Sequence, residues 1–136
     1  MYLVDTSVWI DFLRGRDTSP VKVLAGLLEG EEIVGVTPTV IQEILQGADS
    51  PARFEKLRRS LAELACYVPR DPVESHVEAA RIYQDCRRAG TTPRSSGDCL
   101  VAQAAIEHGL VLLHDDRDFE AIGRVTKGLM LHPLSA

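Results

Sequence analysis

Short apolar runs alternate along the chain with longer segments in which apolar residues recur every three or four positions. The apolar runs predict buried strands at residues 2–5, 33–36, 110–113 and around 128–132, with a short strand or extended connector at 66–71. The longer segments predict seven helices between these strands. Alternating strands and helices favour an α/β fold with a mainly parallel central sheet flanked by helices on both faces. The length fits one domain over residues 1–136.

Hydroxyl residues, aspartates and prolines mark where the helices are expected to begin. Thr6 or Ser7 can cap the first helix, which contains Trp9 and Phe12 on its apolar face. Later helices have similar starting signals, at Ser50, Asp71 and either Ser95 or Ser96. The boundaries of the helices are therefore predicted from local sequence alone.

Aspartates follow two of the predicted strands directly. Asp5 closes the first apolar run, while Asp115, Asp116 and Asp118 come after residues 110–113, next to His114. Ligands of parallel sheets bind beyond the carboxyl ends of the strands, so both groups are expected at one rim. A carboxylate at the edge of a core must be hydrogen-bonded, paired or metal-bound, because unpaired burial is costly.

Two further acids, Glu43 and Asp98, stand inside helical segments. Each acid has a structural alternative: Glu43 can lie at a solvated helix edge, and Asp98 can form a capping box with Ser95. Asp5 could likewise cap the helix after it. Taken together, carboxylates at one rim would repel and raise each other's pKa values unless a divalent cation held them ionised. Oxygen ligands without a cysteine or histidine cluster indicate Mg²⁺ or Mn²⁺.

Composition and charge narrow the class of protein. Three scattered cysteines, Cys66, Cys86 and Cys99, are expected to be buried small side chains in a reducing cytoplasm. The first residues do not form a signal-peptide pattern, and no apolar run approaches the length of a membrane span. A net charge of −5 argues against nucleic-acid binding, yet twelve arginines against three lysines suit phosphate contacts unless they reflect compositional bias.

Four blocks of the sequence carry a resemblance to a known family. In chain order they are YLVDTSVWIDFLRG, TPTVIQEILQG, RSSGDCLVAQAAIEHG and LLHDDRDFEAI. Their order and spacing resemble those of PIN-domain ribonucleases, specifically the VapC-type toxins of toxin–antitoxin pairs, over essentially the whole chain. The resemblance implies a cytoplasmic, Mg²⁺-dependent hydrolysis of RNA phosphodiesters, with Mn²⁺ as a substitute ion. It also implies a homodimer, a VapB-type antitoxin partner, no membrane contact, and DNA contact only through the antitoxin.

The resemblance assigns roles to residues by their place in the matching blocks. It implies four catalytic acids, Asp5, Glu43, Asp98 and Asp116, of which Asp5, Asp98 and Asp116 are the metal ligands. Asp118 corresponds to an accessory acid, and Thr6 to a hydroxyl residue that supports the first aspartate. His114 departs from the Thr or Ser that many relatives have at this position.

Two arginines near the predicted rim, Arg94 and Arg117, are expected to bind RNA phosphates, with plain surface charge as the alternative.

Two other classes of function stay open. One is a PIN-like binding module with a degenerate site, which the presence of all four acids disfavours. The other is a phosphoryl-transfer enzyme or phosphoacceptor domain with Asp5 as the nucleophile. Dehalogenase-type phosphatases need an acid where Ser7 stands, and receiver domains need a late lysine, for which Lys127 is a weak candidate.

Overall fold

Residues 1–133, the part of the chain that this computed structural model describes, form a parallel sheet with helices on both faces. The five strands are β1 (Tyr2–Val4), β2 (Val34–Val36), β3 (Ala65–Cys66), β4 (Val111–Leu113) and β5 (Met130–Leu131). The seven helices are α1 (Thr6–Leu13), α2 (Ser19–Glu29), α3 (Pro38–Gln46), α4 (Pro51–Ala62), α5 (Pro72–Arg88), α6 (Ser96–His108) and α7 (Arg117–Val125). The predicted α/β fold is confirmed.

The strand order is β3-β2-β1-β4-β5, and every neighbouring pair is parallel. In the register of the sheet, Leu3 of β1 lies opposite Gly35 of β2 and Leu112 of β4. The chain leaves β1 toward β2 on one side and later returns to β4 on the other, so the β1–β4 pair is the point where the winding reverses. The backbone N–H of Asp5 donates to the carbonyl oxygen of Leu113 at 3.0 Å, so β1 and β4 end at the same level. Ligands of such sheets bind at this place.

The central strands are apolar on both faces. Leu3, Val4, Leu112 and Leu113 are fully buried, and Phe119 of α7 packs into the same core. Strands covered by helices on both sides need continuous apolar runs instead of alternation, which is the pattern that the sequence showed. This core fixes the positions of the residues that follow β1 and β4.

The predicted helix starts are confirmed for α4, α5 and α6. Ser50, Asp71 and Ser95 each accept a hydrogen bond from a backbone N–H in the first turn of the helix that follows. The prediction for α1 is wrong, because Thr6 is already helical and Asp5 occupies the cap position. The side chain of Asp5 nevertheless makes no capping hydrogen bond, so helix capping does not account for this residue.

The cysteine prediction is confirmed in part. Cys86 and Cys99 are buried free thiols, but Cys66 is exposed, which corrects the expectation that all three are buried. Cys66 belongs to β3, a two-residue strand at the edge of the sheet, where the side chain is not covered. Within residues 1–133, none of the helices combines the length and the apolar character needed to cross a membrane.

Gly35 offers a test of the packing of β2 against β3. A Cβ atom at Gly35 would lie 2.2 Å from Cε2 of Tyr67 and 2.9 Å from the carbonyl oxygen of Ala65. Because the carbonyl cannot move without disturbing the sheet, we expect Gly35→Ala to lower the free energy of unfolding by about 1–3 kcal/mol in urea titration. Gly26→Ala is the control, since Gly26 is exposed in α2 with nothing within 4 Å of its Cβ position. Equal stability of the two variants would contradict the close approach at Gly35.

Candidate metal centre

The structure brings the predicted acids to the rim where β1 and β4 end. Asp98, Asp116 and Asp118 each have a carboxylate oxygen within 4.8 Å of the other two. Asp5 and Glu43 lie near enough that their negative charges raise the pKa of Asp98. The charge of Asp98 therefore interacts with two pairs of acids. One pair is Asp5 and Glu43, and the other is Asp116 and Asp118. We call these five residues the acid rim.

Hydroxyl groups hold the acids on the β1 side of the acid rim. The Oγ1 of Thr6 donates to Oε1 of Glu43 at 3.0 Å, and the Oγ of Ser7 donates to Oδ2 of Asp5 at 3.1 Å. The hydroxyl that contacts Asp5 is thus that of Ser7, whereas the hydroxyl of Thr6, the residue expected to support the first aspartate, contacts Glu43. Sequence reasoning missed Ser7 as a site residue. Its place two residues after Asp5, at the start of a helix, was the signal available.

Asp5 is the most enclosed member of the acid rim, with 6 % of its surface exposed. Burial raises the pKa of Asp5, and the negative charge of Glu43 raises it further. The nearby backbone N–H groups of Thr6 and Ser7 and the hydrogen bond from the Ser7 hydroxyl act on this pKa in the opposite direction. A carboxylate that is buried, unused as a cap and close to other acids is suited to binding a cation.

Asp98 is affected both by burial and by the charges of the other four members of the acid rim. Burial raises the pKa of Asp98 to about 7, with further contributions from the charges of Asp5, Asp116, Asp118 and Glu43. The cap of α6 is Ser95, which accepts a hydrogen bond from the backbone N–H of Gly97. Near neutral pH, without a cation, Asp98 thus carries a proton in a substantial share of molecules.

The acid rim fits a hard divalent cation. Opposite ligands of an octahedral Mg²⁺ lie roughly 4.2 Å apart, so oxygens within 4.8 Å of one another need only small side-chain movements to share one ion. The donor atoms are carboxylate oxygens, which Mg²⁺ and Mn²⁺ prefer over sulfur or imidazole. The residues that could hold the ion are Asp98, Asp116 and Asp118, with Asp5 close to Asp98 at the end of β1.

His114 packs beside the acid rim and is 2 % exposed. Its Nδ1 accepts a hydrogen bond from the backbone N–H of Asp116 at 3.1 Å, and its ring centroid lies 5.3 Å from that of Phe119. Burial lowers the pKa of His114, which keeps the ring neutral and able to accept this bond. His114 therefore shapes the turn that presents Asp116, and its Nδ1 is directed at the backbone.

The two predicted arginines occupy different positions. Arg94 contacts the acids themselves: its Nη2 lies 2.9 Å from Oδ1 of Asp116, and its Nε lies 3.3 Å from Oδ2 of Asp118. Arg117 is exposed and lines an open groove of about 520 Å³ beside these acids, together with Arg94 and Asp115. Asp115 is itself exposed and is not one of the three grouped acids.

An all-oxygen acid site at the carboxyl ends of a parallel sheet is suited to a divalent metal ion, as in metal-dependent α/β enzymes. Residues 2–125 match the sequence model of the PIN domain. The chain is 36 % identical over 127 residues to ribonuclease VapC11 of Mycobacterium tuberculosis, covering 93 % of this chain and 94 % of the relative. It is 32 % identical over 125 residues to ribonuclease VapC51 of the same organism, covering 92 % and 87 %.

Solved structures show the same fold. VapBC2 from Rickettsia felis, bound to a DNA fragment from its promoter, has a TM-score of 0.73 at 15 % identity, with 96 % of each chain covered. VapBC-1 from nontypeable Haemophilus influenzae has a TM-score of 0.73 at 15 % identity, covering 98 % of this chain and 97 % of the other. The chain therefore belongs to the PIN-domain family, as a VapC-type member. Nucleases of this family generally depend on a divalent metal.

The raised pKa of Asp98 predicts how pH affects stability. Its ordinary value is 3.8 and its value in the fold is about 7, so between them the folded protein binds more protons than the unfolded chain. The contribution of Asp98 to the stability of the metal-free protein should therefore fall as pH rises through this window, by on the order of 1 kcal/mol after solvent screening. Urea unfolding in EDTA at about pH 5 and pH 8 measures this change. Asp98→Asn should flatten the dependence, and an unchanged slope in the variant would contradict the assignment.

Proposed function

We propose that the chain is a metal-dependent endoribonuclease, the toxin of a type II toxin–antitoxin pair, that hydrolyses RNA phosphodiester bonds at the acid rim. The gathering of Asp5, Glu43, Asp98 and Asp116 around one edge of the sheet is the observation that carries the proposal. The similarity to proteins named VapC ribonucleases supports it. The cation we propose is Mg²⁺, with Mn²⁺ as a functional substitute.

Each acid has a distinct task in this proposal. Asp5, Asp98 and Asp116 would hold the cation, which when bound would supply Lewis acidity for water activation and for offsetting charge on the phosphate. Glu43, which accepts a hydrogen bond from the Thr6 hydroxyl, would hold a metal-bound water or a second ion. Asp118 is an accessory acid, since its Oδ2 accepts the backbone N–H of Arg94 at 3.0 Å and so fixes the loop before α6.

RNA would approach through the open groove beside Asp116 and Asp118. Arg117 is exposed in this groove, and a guanidinium there can bind a phosphate that flanks the scissile bond. We assign the same role to Arg94 once its side chain is free of the acids. Contacts of this kind hold the RNA backbone in register and carry no base specificity of their own.

We also propose a VapB-type antitoxin as the partner, a homodimer of this chain, and contact with DNA only through the antitoxin. The support is that the similar solved structures are toxin–antitoxin complexes, two of which contain VapBC bound to DNA. The mass of the purified protein, alone and after co-expression with a small reading frame encoded beside it, measures both associations. A monomer in both preparations would contradict them.

The proposed reaction requires the metal-binding acids more strictly than the residues around them. Purified protein without antitoxin should cleave RNA in Mg²⁺ and stop in EDTA, and Asp5→Asn and Asp98→Asn should each lower the rate by more than about a hundredfold. Thr6→Val, which removes the hydroxyl that orients Glu43, should lower it by about tenfold. Gel-resolved cleavage of a labelled RNA is the measurement.

Asp115→Asn is the matched control for these variants. Asp115 is an exposed acid next to Asp116 and lies outside the cluster, so this substitution removes the same charge from the same loop. Its rate should stay within about twofold of the parent, because a solvent-screened charge outside the coordination sphere contributes little. Cleavage that survives chelation, or full activity of Asp98→Asn, would refute the metal-dependent mechanism.

A further inference from the structure

The side chain of Arg94 lies across the β4 side of the acid rim. Its Nη2 reaches Asp116 and its Nε reaches Asp118, although 77 % of the arginine side chain is exposed to solvent. Because so little of the side chain is packed, the two carboxylates are the groups that hold the guanidinium in place. Such exposed ion pairs are weak and exchange readily with other ions.

The backbone of Arg94 has contacts of its own beside those of the side chain. Its N–H donates to Oδ2 of Asp118 at 3.0 Å, and the preceding Pro93 is buried. The guanidinium can therefore leave the acids while the loop stays in place. A released side chain would remain beside the acid rim, on the edge of the groove that Arg117 also lines.

Arg94 and a metal ion need the same negative charge. The Oδ1 of Asp116 already accepts hydrogen bonds from Arg94 and from the backbone N–H of Asp118. A dication bound to Asp98 and Asp116 would lie next to the guanidinium, and the two positive groups would repel each other. The carboxylates that pair with Arg94 would also be drawn toward the ion, since the dication carries twice the charge of the arginine.

We propose that Arg94 is a positioning residue that neutralises Asp116 and Asp118 while no cation is bound and is displaced by the cation. Its guanidinium then faces the RNA phosphate in the groove. Binding of the metal thus prepares the site for RNA by releasing an arginine of the same chain. This inference rests on the proposed function, because it concerns the same acids and the same substrate class.

The first test is a calorimetric titration with Mn²⁺ in the absence of RNA. Arg94→Gln should bind Mn²⁺ about three- to tenfold more tightly than the parent, since the ion no longer displaces two ion-pair contacts. Arg117→Gln is the matched control, because it removes the same charge from the same groove. Within residues 1–133, the Arg117 side chain forms no salt bridge with Asp116 or Asp118. Its affinity should change by less than about twofold, which measures the general effect of losing a nearby positive charge.

The second test follows the arginine itself by NMR. The Nε–H signal of Arg94, identified by its loss in Arg94→Gln, should move toward that of a free arginine when Mg²⁺ is added. The signal of Arg16, which forms a comparable exposed pair with Asp11 at 2.9 Å, should stay unchanged. With RNA present, Arg94→Gln should raise KM for RNA although it tightens Mn²⁺ binding. A merely structural role would weaken the binding of both RNA and Mn²⁺.

The outcomes separate this inference from the proposed function. If the parent binds Mn²⁺ and cleaves RNA, but Arg94→Gln binds Mn²⁺ no more tightly than Arg117→Gln, the displacement of Arg94 is refuted and the ribonuclease proposal stands. An Arg94 signal that stays fixed while Mg²⁺ binds refutes the displacement in the same way. If the parent binds no cation and cleaves no RNA, both proposals fail.

Discussion

Repulsion among carboxylates at the ends of β1 and β4 is the constraint on which the site depends. The parallel pairing of these strands brings Asp5 and Asp116 to the same edge of the sheet, and the start of α6 brings Asp98 near both. Burial raises the pKa of Asp98 to about 7, and the like charges around it contribute in the same direction. The apolar core beneath, with Leu3, Leu112 and Leu113 fully buried, holds the arrangement against this repulsion.

Without a metal, the protein reduces the repulsion in a different way on each side of the acid rim. On the β1 side, hydroxyl groups of Thr6 and Ser7 donate to Glu43 and Asp5. On the β4 side, the guanidinium of Arg94 lies on the acids, and Asp98, which both sides influence, is partly protonated near neutral pH. In the proposed mechanism one cation would take the place of the arginine, so metal binding and RNA binding would be coupled.

The extent to which the sequence predicted the structure depended on the range of the interactions. Helix starts such as Ser50 and Asp71 and the apolar strands follow from local patterns, and the acids at the strand ends follow from a general rule for parallel sheets. The bond from Thr6 to Glu43 spans 37 residues and the contact of Arg94 with Asp118 spans 24, so no local pattern predicts either one. The burial of Cys66 was predicted wrongly, because its exposure follows from the position of β3 at the edge of the sheet.

That the acid rim binds a divalent cation is the claim with the most consequences, and the anomalous scattering of Mn²⁺ tests it most directly. Crystals of the metal-free protein soaked in Mn²⁺ should show an anomalous difference peak at roughly 2.0–2.3 Å from carboxylate oxygens of Asp98 and of Asp5 or Asp116. The guanidinium of Arg94 should have moved off the acids in the same crystal. An acid rim without a peak at saturating Mn²⁺, or a peak bound only to acids elsewhere on the surface, would contradict this account of the site.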